Sequence, residues 1–407
     1  MLLFGLPGIA VLALLLGRDW RAAWAPRAWS IALASYAIAW ISTNDVIGID
    51  LPDAHLLLVP AGVGLAWAAG IAFAAFELDV PRFGIRARRF TIAVGVLALL
   101  ASLGPAVGAA NGGSFGAPGT DLSGALRFIS LEPADGSYRV LWIGERDLLP
   151  APGRQLDDQL WVTTSLDGLP DVRANWLPPV TTADDEMLAV LDAGFEGQTA
   201  RIGRLLAPFA VRYLIVPQAL APSFSGAEVI EVDPSVINTL SSQLDLKRIA
   251  TDPSVIVYEN TEWRPVRAIT ELNNPVLGVS DAATLAITAT GDWFPTLLRS
   301  DGPTRFSGEV TTGTVINAVG DADTWSLSVG DQRLDPSGVG GWAAAWNVPI
   351  GGEASLVHEA PPGHGWLLLL QWIAWVVVAR IAIAEGRLRQ TTDAKEPTAD
   401  AESGDLL

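Results

Sequence analysis

Runs of sequence with almost no charge constrain this chain more than anything else in it. The last is WLLLLQWIAWVVVARIAIA, Trp366–Ala384, with a single Arg380 near its end, where a long side chain can reach the interface. A bilayer core takes about 20 mostly apolar residues in a helix. Four earlier stretches approach that length: Met1–Leu16, Ala28–Thr43, Ala54–Phe76 and Phe90–Ala110. The sequence therefore predicts four N-terminal spans and one C-terminal span.

The loops assign sides to these spans. Arg18, Arg21 and Arg27 separate the first two, and Arg82, Arg86, Arg88 and Arg89 separate the third and fourth. Arg387, Arg389 and Lys395 follow the fifth, while Asp45, Asp50 and Asp53 lie between the second and third with no basic residue. Basic loops stay cytoplasmic. Residues 111–363 then fall outside the cytoplasmic membrane, and so does Met1. A start on the outer side, with no basic segment before the first span, is not that of a signal peptide. It predicts a chain that corresponds to the C-terminal part of a longer polytopic protein.

Composition agrees. Half of the 407 residues are hydrophobic, and the mean hydropathy is +0.34, above that of ordinary soluble domains. Residues 111–363 hold 15 Lys+Arg against 32 Asp+Glu, which is −17 of the total −18. So acidic a segment does not suit nucleic acid. With no cysteine, disulfides and thiolate metal sites are excluded, 3 His argue against a His-rich metal site, and no cofactor is implied. No P-loop, zinc spacing or Ser/His/Asp set stands out.

Within the exported part, RLLAPFAVRYLIVP (Arg204–Pro217) is apolar enough to suggest membrane, but Pro208 divides it and Arg212 sits inside it. It reads as a helix, Gln198–Ala207, stopped by Pro208, then a strand, Val211–Val216, buried on both faces. Tyr138–Gly144 and Ser254–Glu259 read as further strands, and Asp184–Ala193 and Pro234–Leu244 as helices. Strands alternating with helices predict an exported α/β domain over 111–268, led in by the glycine-rich Asn111–Gly119. Beyond it come short alternating runs with turn signals between them: Thr284–Thr290, Thr304–Thr311, Thr324–Val329, Trp342–Trp346 and Ala354–His358. They predict an all-β sandwich over 269–362. The last span follows at 363–385, after the four-helix transmembrane region of 1–110, and the acidic tail 386–407 carries no aromatic residue and predicts disorder.

Several segments resemble large actinobacterial glycosyltransferases of the family 2 type. His55–Arg89 looks like their late-span and basic-loop region. YRVLWIGERDLLP (Tyr138–Pro150), RIGRLLAPFAVRYLIVP (Arg201–Pro217) and LKRIATDPSVIVYENTEWRP (Leu246–Pro265) look like their exported domain. The helix followed by G-V-R-Y-hydrophobic-V-P recurs in other multi-span envelope glycosyltransferases, and here Ala210 takes the glycine's place. The resemblance covers most of 54–385 and implies the non-catalytic part of such an enzyme. Their catalytic domain carries an Asp-x-Asp metal pair on the cytosolic side. The single such string here, Asp321-Ala322-Asp323, lies in a β-turn context on the outer side, and no cytosolic region could hold that domain.

Candidate site residues follow from chemistry. Asp45, Asp50 and Asp53, with His55 nearby, are the one cluster of carboxylates at a membrane surface, where lipid-linked-sugar transferases keep a catalytic Asp; the competing reading is a loop that is acidic because basic residues are excluded from it. Arg201, Arg204 and Arg212 could meet a lipid phosphate or an acidic glycan, or pair structurally with Asp184, Asp185 or Glu196. Trp325, Trp342 and Trp346 could stack on sugar rings, or fill the sandwich. No metal ligand set is present. Three functions stay open: an accessory module of envelope glycan assembly, binding glycan or lipid carrier beside a separate catalytic glycosyltransferase subunit; a polytopic transferase using lipid-linked sugar; and an envelope binding or structural protein unconnected with sugar transfer.

Overall fold

A computed structural model describes residues 5–44, 54–78, 121–129, 136–171, 180–220, 232–289, 291–302, 304–319, 324–359 and 368–377, with isolated positions between them. Helices and several antiparallel sheets make up the chain, in two differently built regions.

The first region is helical. Alanine-rich sequence with no β-branched run favours helix, and α1 (Gly5–Leu16), α2 (Trp20–Thr43), the single turn α3 (Ala54–Leu57) and α4 (Val59–Leu78) form there. Most of the positions buried on α2 and α4 are small: Ala25, Ala28, Ala32, Ser35 and Ala39 on α2, beside Arg21, and Ala61, Gly64, Ala68, Ala69, Ala72 and Ala75 on α4, beside Leu65 and Ile71; α1 buries Ile9, Leu12 and Leu16 against them. A Cβ on Gly64 would come within 2.7 Å of the Ala28 carbonyl oxygen, so the two backbones touch there. The large apolar side chains, among them Leu15, Leu33, Trp40, Val63 and Phe73, are exposed instead. Hydroxyls inside α2 turn back on the helix: Ser35 Oγ donates to the Ile31 carbonyl and Thr43 Oγ1 to that of Ala39.

This region corrects the span count. Among the described residues one helix, Val59–Leu78, is long and apolar enough to cross a membrane. Helix α1 has 12 residues, about 18 Å at 1.5 Å per residue. Helix α2 has 24 residues but runs through Arg21 and Arg27, which the sequence places in a loop. At the C-terminal end the apolar helix α9 is described over Leu368–Val377. Most of 90–110 lies outside the described residues.

The second region starts from a six-stranded sheet in the order β2-β3-β1-β4-β6-β5. Its strands are β1 (Arg139–Gly144), β2 (Arg154–Gln155), β3 (Trp161–Leu166), β4 (Val211–Pro217), β5 (Leu246–Ile249) and β6 (Val255–Asn260). Only β1 and β4 pair in parallel; the other four pairings are antiparallel, so the expected α/β layer is a mixed sheet. Both faces are buried. Val140, Trp142, Tyr213, Ile215 and Val257 enter one core with Leu126 and Ile129. Leu141, Ile143, Leu214, Val216 and Tyr258 enter another, under α5 (Thr182–Phe195), α6 (Ile202–Leu206), α7 (Pro234–Ser241) and α8 (Ala282–Thr288). The stretch VRYLIV is thus a strand covered on both sides.

The link from α6 into β4 shows how local chemistry sets the turn. After Leu206 the chain tightens into a 3-10 turn, Ala207–Phe209, with Pro208 inside it, and Ala210 then takes φ 60° and ψ 28°. That left-handed conformation is what the glycine of the G-V-R-Y pattern would supply without strain. Upstream, a polar knot fixes α6. Asp245 accepts from the amides of Gly203 (3.1 Å) and Arg204 (2.7 Å), and Asn260 Nδ2 donates to the carbonyls of Gly203 and Val211, both at 2.8 Å.

Two five-stranded antiparallel sheets follow. One runs β14-β15-β11-β7-β8 and the other β13-β12-β16-β10-β9. The strands are β7 (Arg267–Thr270), β8 (Phe294–Pro295), β9 (Arg299–Gly302), β10 (Arg305–Val310), β11 (Gly313–Asn317), β12 (Trp325–Val329), β13 (Gln332–Leu334), β14 (Ser337–Val339), β15 (Ala343–Val348) and β16 (Gly352–His358). Phe306, Val315, Trp325, Leu327, Trp346 and Leu356 from both sheets fill one core, the arrangement of a sandwich. The other face of the first of these sheets joins the core beneath the helices, where Trp342 stacks on Phe209 with centroids 4.7 Å apart and planes at 6°.

One expected strand is a helix. Thr284–Thr290 alternates like a strand, yet α8 spans Ala282–Thr288. Ala282, Leu285, Ala286 and Ala289 are its buried positions, a period of three and four that burial rewards only in a helix. Asp281 caps it, accepting from the Thr284 amide at 2.7 Å.

Candidate functional site

The C-terminal end of β1 opens into a cleft of about 510 Å³. In open sheets, ligand sites favour the carboxyl ends of parallel strands, and β1 and β4 are this sheet's parallel pair. Glu145 follows β1 directly. Asp157, Asp158 and Gln159 come from the turn before β3, and Asp233 and Ser235 from the start of α7; Leu160, Val232 and Val236 supply apolar wall. Two of the acids have structural duties. Asp157 closes its turn by accepting from the amides of Gln159 (2.8 Å) and Leu160 (2.7 Å). Asp233 caps α7, and hydrogen bonds from Ser235 hold its carboxyl below the usual range.

The acidic field reaches α5. Burial raises the Asp192 carboxyl, and the negative charges of Glu196 and Asp157 raise it further. Carboxylates and one side-chain amide around an open, partly apolar cleft can accept and donate hydrogen bonds to polyhydroxylated ligands. Among the described residues, no group of three or more His, Asp or Glu is placed to hold a metal ion. No His or Lys lines the cleft; its ionisable groups are the carboxylates of Glu145, Asp157, Asp158 and Asp233.

The three arginines singled out in the sequence go to different places. Arg201 stands exposed at the start of α6, its amide donating to Thr199 Oγ1 at 3.0 Å. Arg204 is exposed, and its Nε donates to the Ala286 carbonyl of α8 at 3.2 Å. Arg212 lies with the core on the other face of the sheet. Its guanidinium carbon is 4.5 Å from the Trp263 ring centroid, 5.2 Å from that of Tyr138 and 5.3 Å from that of Tyr213, and its Nη2 lies 4.0 Å from Glu259 Oε1. Tyr138, whose hydroxyl donates to the Ile129 carbonyl, has its pKa pushed up to about 12, chiefly by burial. The expected pairings of Arg201 and Arg204 with Asp184, Asp185 or Glu196 do not form among the described contacts. Asp184 pairs with Arg154 at 3.1 Å and closes a capping box with Thr181.

The tryptophans are corrected more sharply. Trp325, Trp342 and Trp346 are 6%, 3% and 0% exposed. Trp325 meets His358 edge-on at 5.0 Å, and Trp342 is the ring stacked on Phe209. Buried rings present no open face to a sugar, so these three pack the core. Asp45, Asp50 and Asp53 lie outside the described residues, as does the Asp321–Asp323 string. Arg264 carries no signal of its place in the local sequence pattern. It sits over Trp293 at 4.2 Å, and its Nη2 donates to the Ala289 carbonyl at 2.5 Å. Its neighbour in space, Arg204, is far away in sequence.

No protein-family model matches the chain, and no curated protein matches it. Among solved structures, it is similar to the cryo-EM structure of the arabinofuranosyltransferase AftD from Mycobacteria, with 13% sequence identity and a TM-score of 0.27, over 88% of this chain and 39% of that one. The chain therefore spans about two fifths of that structure's length. A likeness of this size establishes neither fold nor activity, and no residue role is carried across.

Proposed function

We propose that this is an integral membrane protein of cell-envelope glycan assembly, and that it binds glycan rather than transferring sugar itself. The reading divides the chain as its sequence does: a transmembrane region over 1–110, an exported sheet-and-helix domain over 111–268, an exported sandwich over 269–362, a final span over 363–385 and a cytoplasmic tail over 386–407. The multi-pass topology is supported by the inverted helix bundle, with alanine and glycine buried and large apolar side chains outside. The cleft at the end of β1 is the observation that carries the glycan role. It is open, of sugar size, and lined by carboxylates, one amide and one hydroxyl. A neutral polyhydroxylated chain suits that chemistry better than an anion, which the carboxylates would repel. Catalysis then belongs to a separate glycosyltransferase subunit.

The test is binding of neutral oligosaccharides, released from envelope polysaccharide, to the full chain in nanodiscs. Glu145→Gln and Asp158→Asn, at positions without a structural bond described above, should weaken that binding about tenfold. Unchanged affinity in the double variant would remove the cleft from the function. Sidedness is tested separately, by an impermeant thiol reagent on intact cells carrying Arg299→Cys. Labelling only after permeabilisation would invert the topology.

A further inference from the structure

The C-terminal turn of α8 gathers two arginines that the chain keeps far apart in sequence. Arg204 comes from α6 and reaches the Ala286 carbonyl through Nε. Arg264 comes from the link between β6 and β7 and reaches the Ala289 carbonyl through Nη2. Arginine at a helix C-terminus is ordinary, because the last carbonyls lack partners and carry partial negative charge. One guanidinium suffices for a helix of seven residues. Here there are two, and the second costs repulsion. Burial lowers the Arg264 pKa to about 10; Glu262 offsets part of that, and the positive charge of Arg204 lowers it again.

Capping does not use every donor at this place. Arg264 Nη1 and Trp293 Nε1 are buried and have no hydrogen-bond partner among the described residues. The Trp293 ring lies under the Arg264 guanidinium and fixes its plane. Arg204 is exposed and, among the described residues, engages its side chain through Nε alone, which leaves both terminal nitrogens for a ligand. The carboxylate of Asp245, in the turn before β5, is taken up by the amides of Gly203 and Arg204. Two planar guanidiniums with unspent N–H groups match the oxygens of a phosphate. This happens inside a segment that is otherwise strongly acidic.

We infer that Arg204 and Arg264 form a binding site for a phosphate or pyrophosphate group, with Arg204 making the surface contact and Arg264 supporting it from behind. The site is separate from the acidic cleft. It rests on the function proposed above only in the source of the phosphate, which for a protein of envelope glycan assembly would be a lipid-linked sugar carrier.

The probe is inorganic pyrophosphate, titrated into the full chain in detergent micelles. Saturable binding and a ligand-induced rise in Tm are expected. Arg204→Gln should weaken binding about tenfold or more while leaving the Tm without ligand nearly unchanged. Arg264→Gln should weaken it as well and lower the ligand-free Tm, because it also caps α8. Arg248→Gln, on the β5 edge, should bind like the parent. No saturable binding by the parent, or equal binding by folded Arg204→Gln, overturns the site. Polyprenyl phosphate in the micelles should then displace pyrophosphate. If pyrophosphate binds but polyprenyl phosphate does not compete, the site stands and its assignment to a lipid carrier falls.

Discussion

The helical N-terminal region and the sheet-built region bury opposite kinds of residue. In the first, alanine and glycine face inward and Trp40, Val63 and Phe73 face out. In the second, Trp142, Trp346, Tyr138, Tyr258 and Phe209 are the largest side chains enclosed. Water drives large apolar side chains inward because removing their surface from it is favourable. In lipid that drive vanishes, and close backbone approach between small residues holds helices together. The contrast is the one that the membrane placement proposed above requires, lipid around the helical region and water around the sheets.

The contrast breaks most visibly at its aromatic end. Trp346→Ala should cost about 3–5 kcal/mol, enough to abolish the cooperative unfolding transition in denaturant. Trp40→Ala, in the helical region, should change stability in detergent by no more than about 0.5 kcal/mol. Equal losses would mean that both regions sit in water. The reverse experiment enlarges a small residue. Gly64→Val forces a side chain against the Ala28 carbonyl and should cost about 1–3 kcal/mol, read as a lower thermal midpoint in detergent and faster crosslinking of α2 to other copies.

Two smaller effects sharpen the picture of the sheet region. Ala210→Gly removes the Cβ from a left-handed residue and should stabilise by about 0.5–1 kcal/mol, measured by urea titration. A null result would place the strain elsewhere. The pH response is expected to be slighter. Asp233 and Asp281 have lowered pKa values in the folded state, from hydrogen bonds at the starts of α7 and α8. Their contribution is complete above the unfolded carboxyl pKa and disappears as pH falls through the folded values. Asp192, raised by burial and acidic neighbours, acts oppositely: its protonated form favours folding, and that gain is lost as pH rises through its folded pKa. Denaturation curves between pH 7 and pH 3 should flatten in the Asp233→Asn, Asp281→Asn double variant.

Much of the sheet region could be read from local pattern. The strands near 138–144 and 211–216 are apolar on both faces, and the acidic start of α5 marks its first turn. Strand β3 escaped because it buries Thr163 and Ser165, whose hydroxyls are satisfied by the Pro152 carbonyl and the Gly168 carbonyl. An apolar pattern does not register buried polar groups with partners. Helix α8 escaped because alternate threonines imitate a strand. The sites were less legible still. The cleft assembles from three separate segments, and Arg204 meets Arg264 only through the fold. For the tryptophans, the sequence holds the ring but not what covers it.

The lone parallel pairing in the six-stranded sheet has a consequence for biogenesis. Strands β1, β2 and β3 close on one another within 139–166, and β4, β5 and β6 within 211–260. One seam, β1 against β4, joins the two halves. While the stretch 167–210 is still being made, the earlier half has an unclaimed strand edge, open to any extended peptide nearby. The arrival of VRYLIVP covers that edge and exposes its own, which stays open until β6 is made.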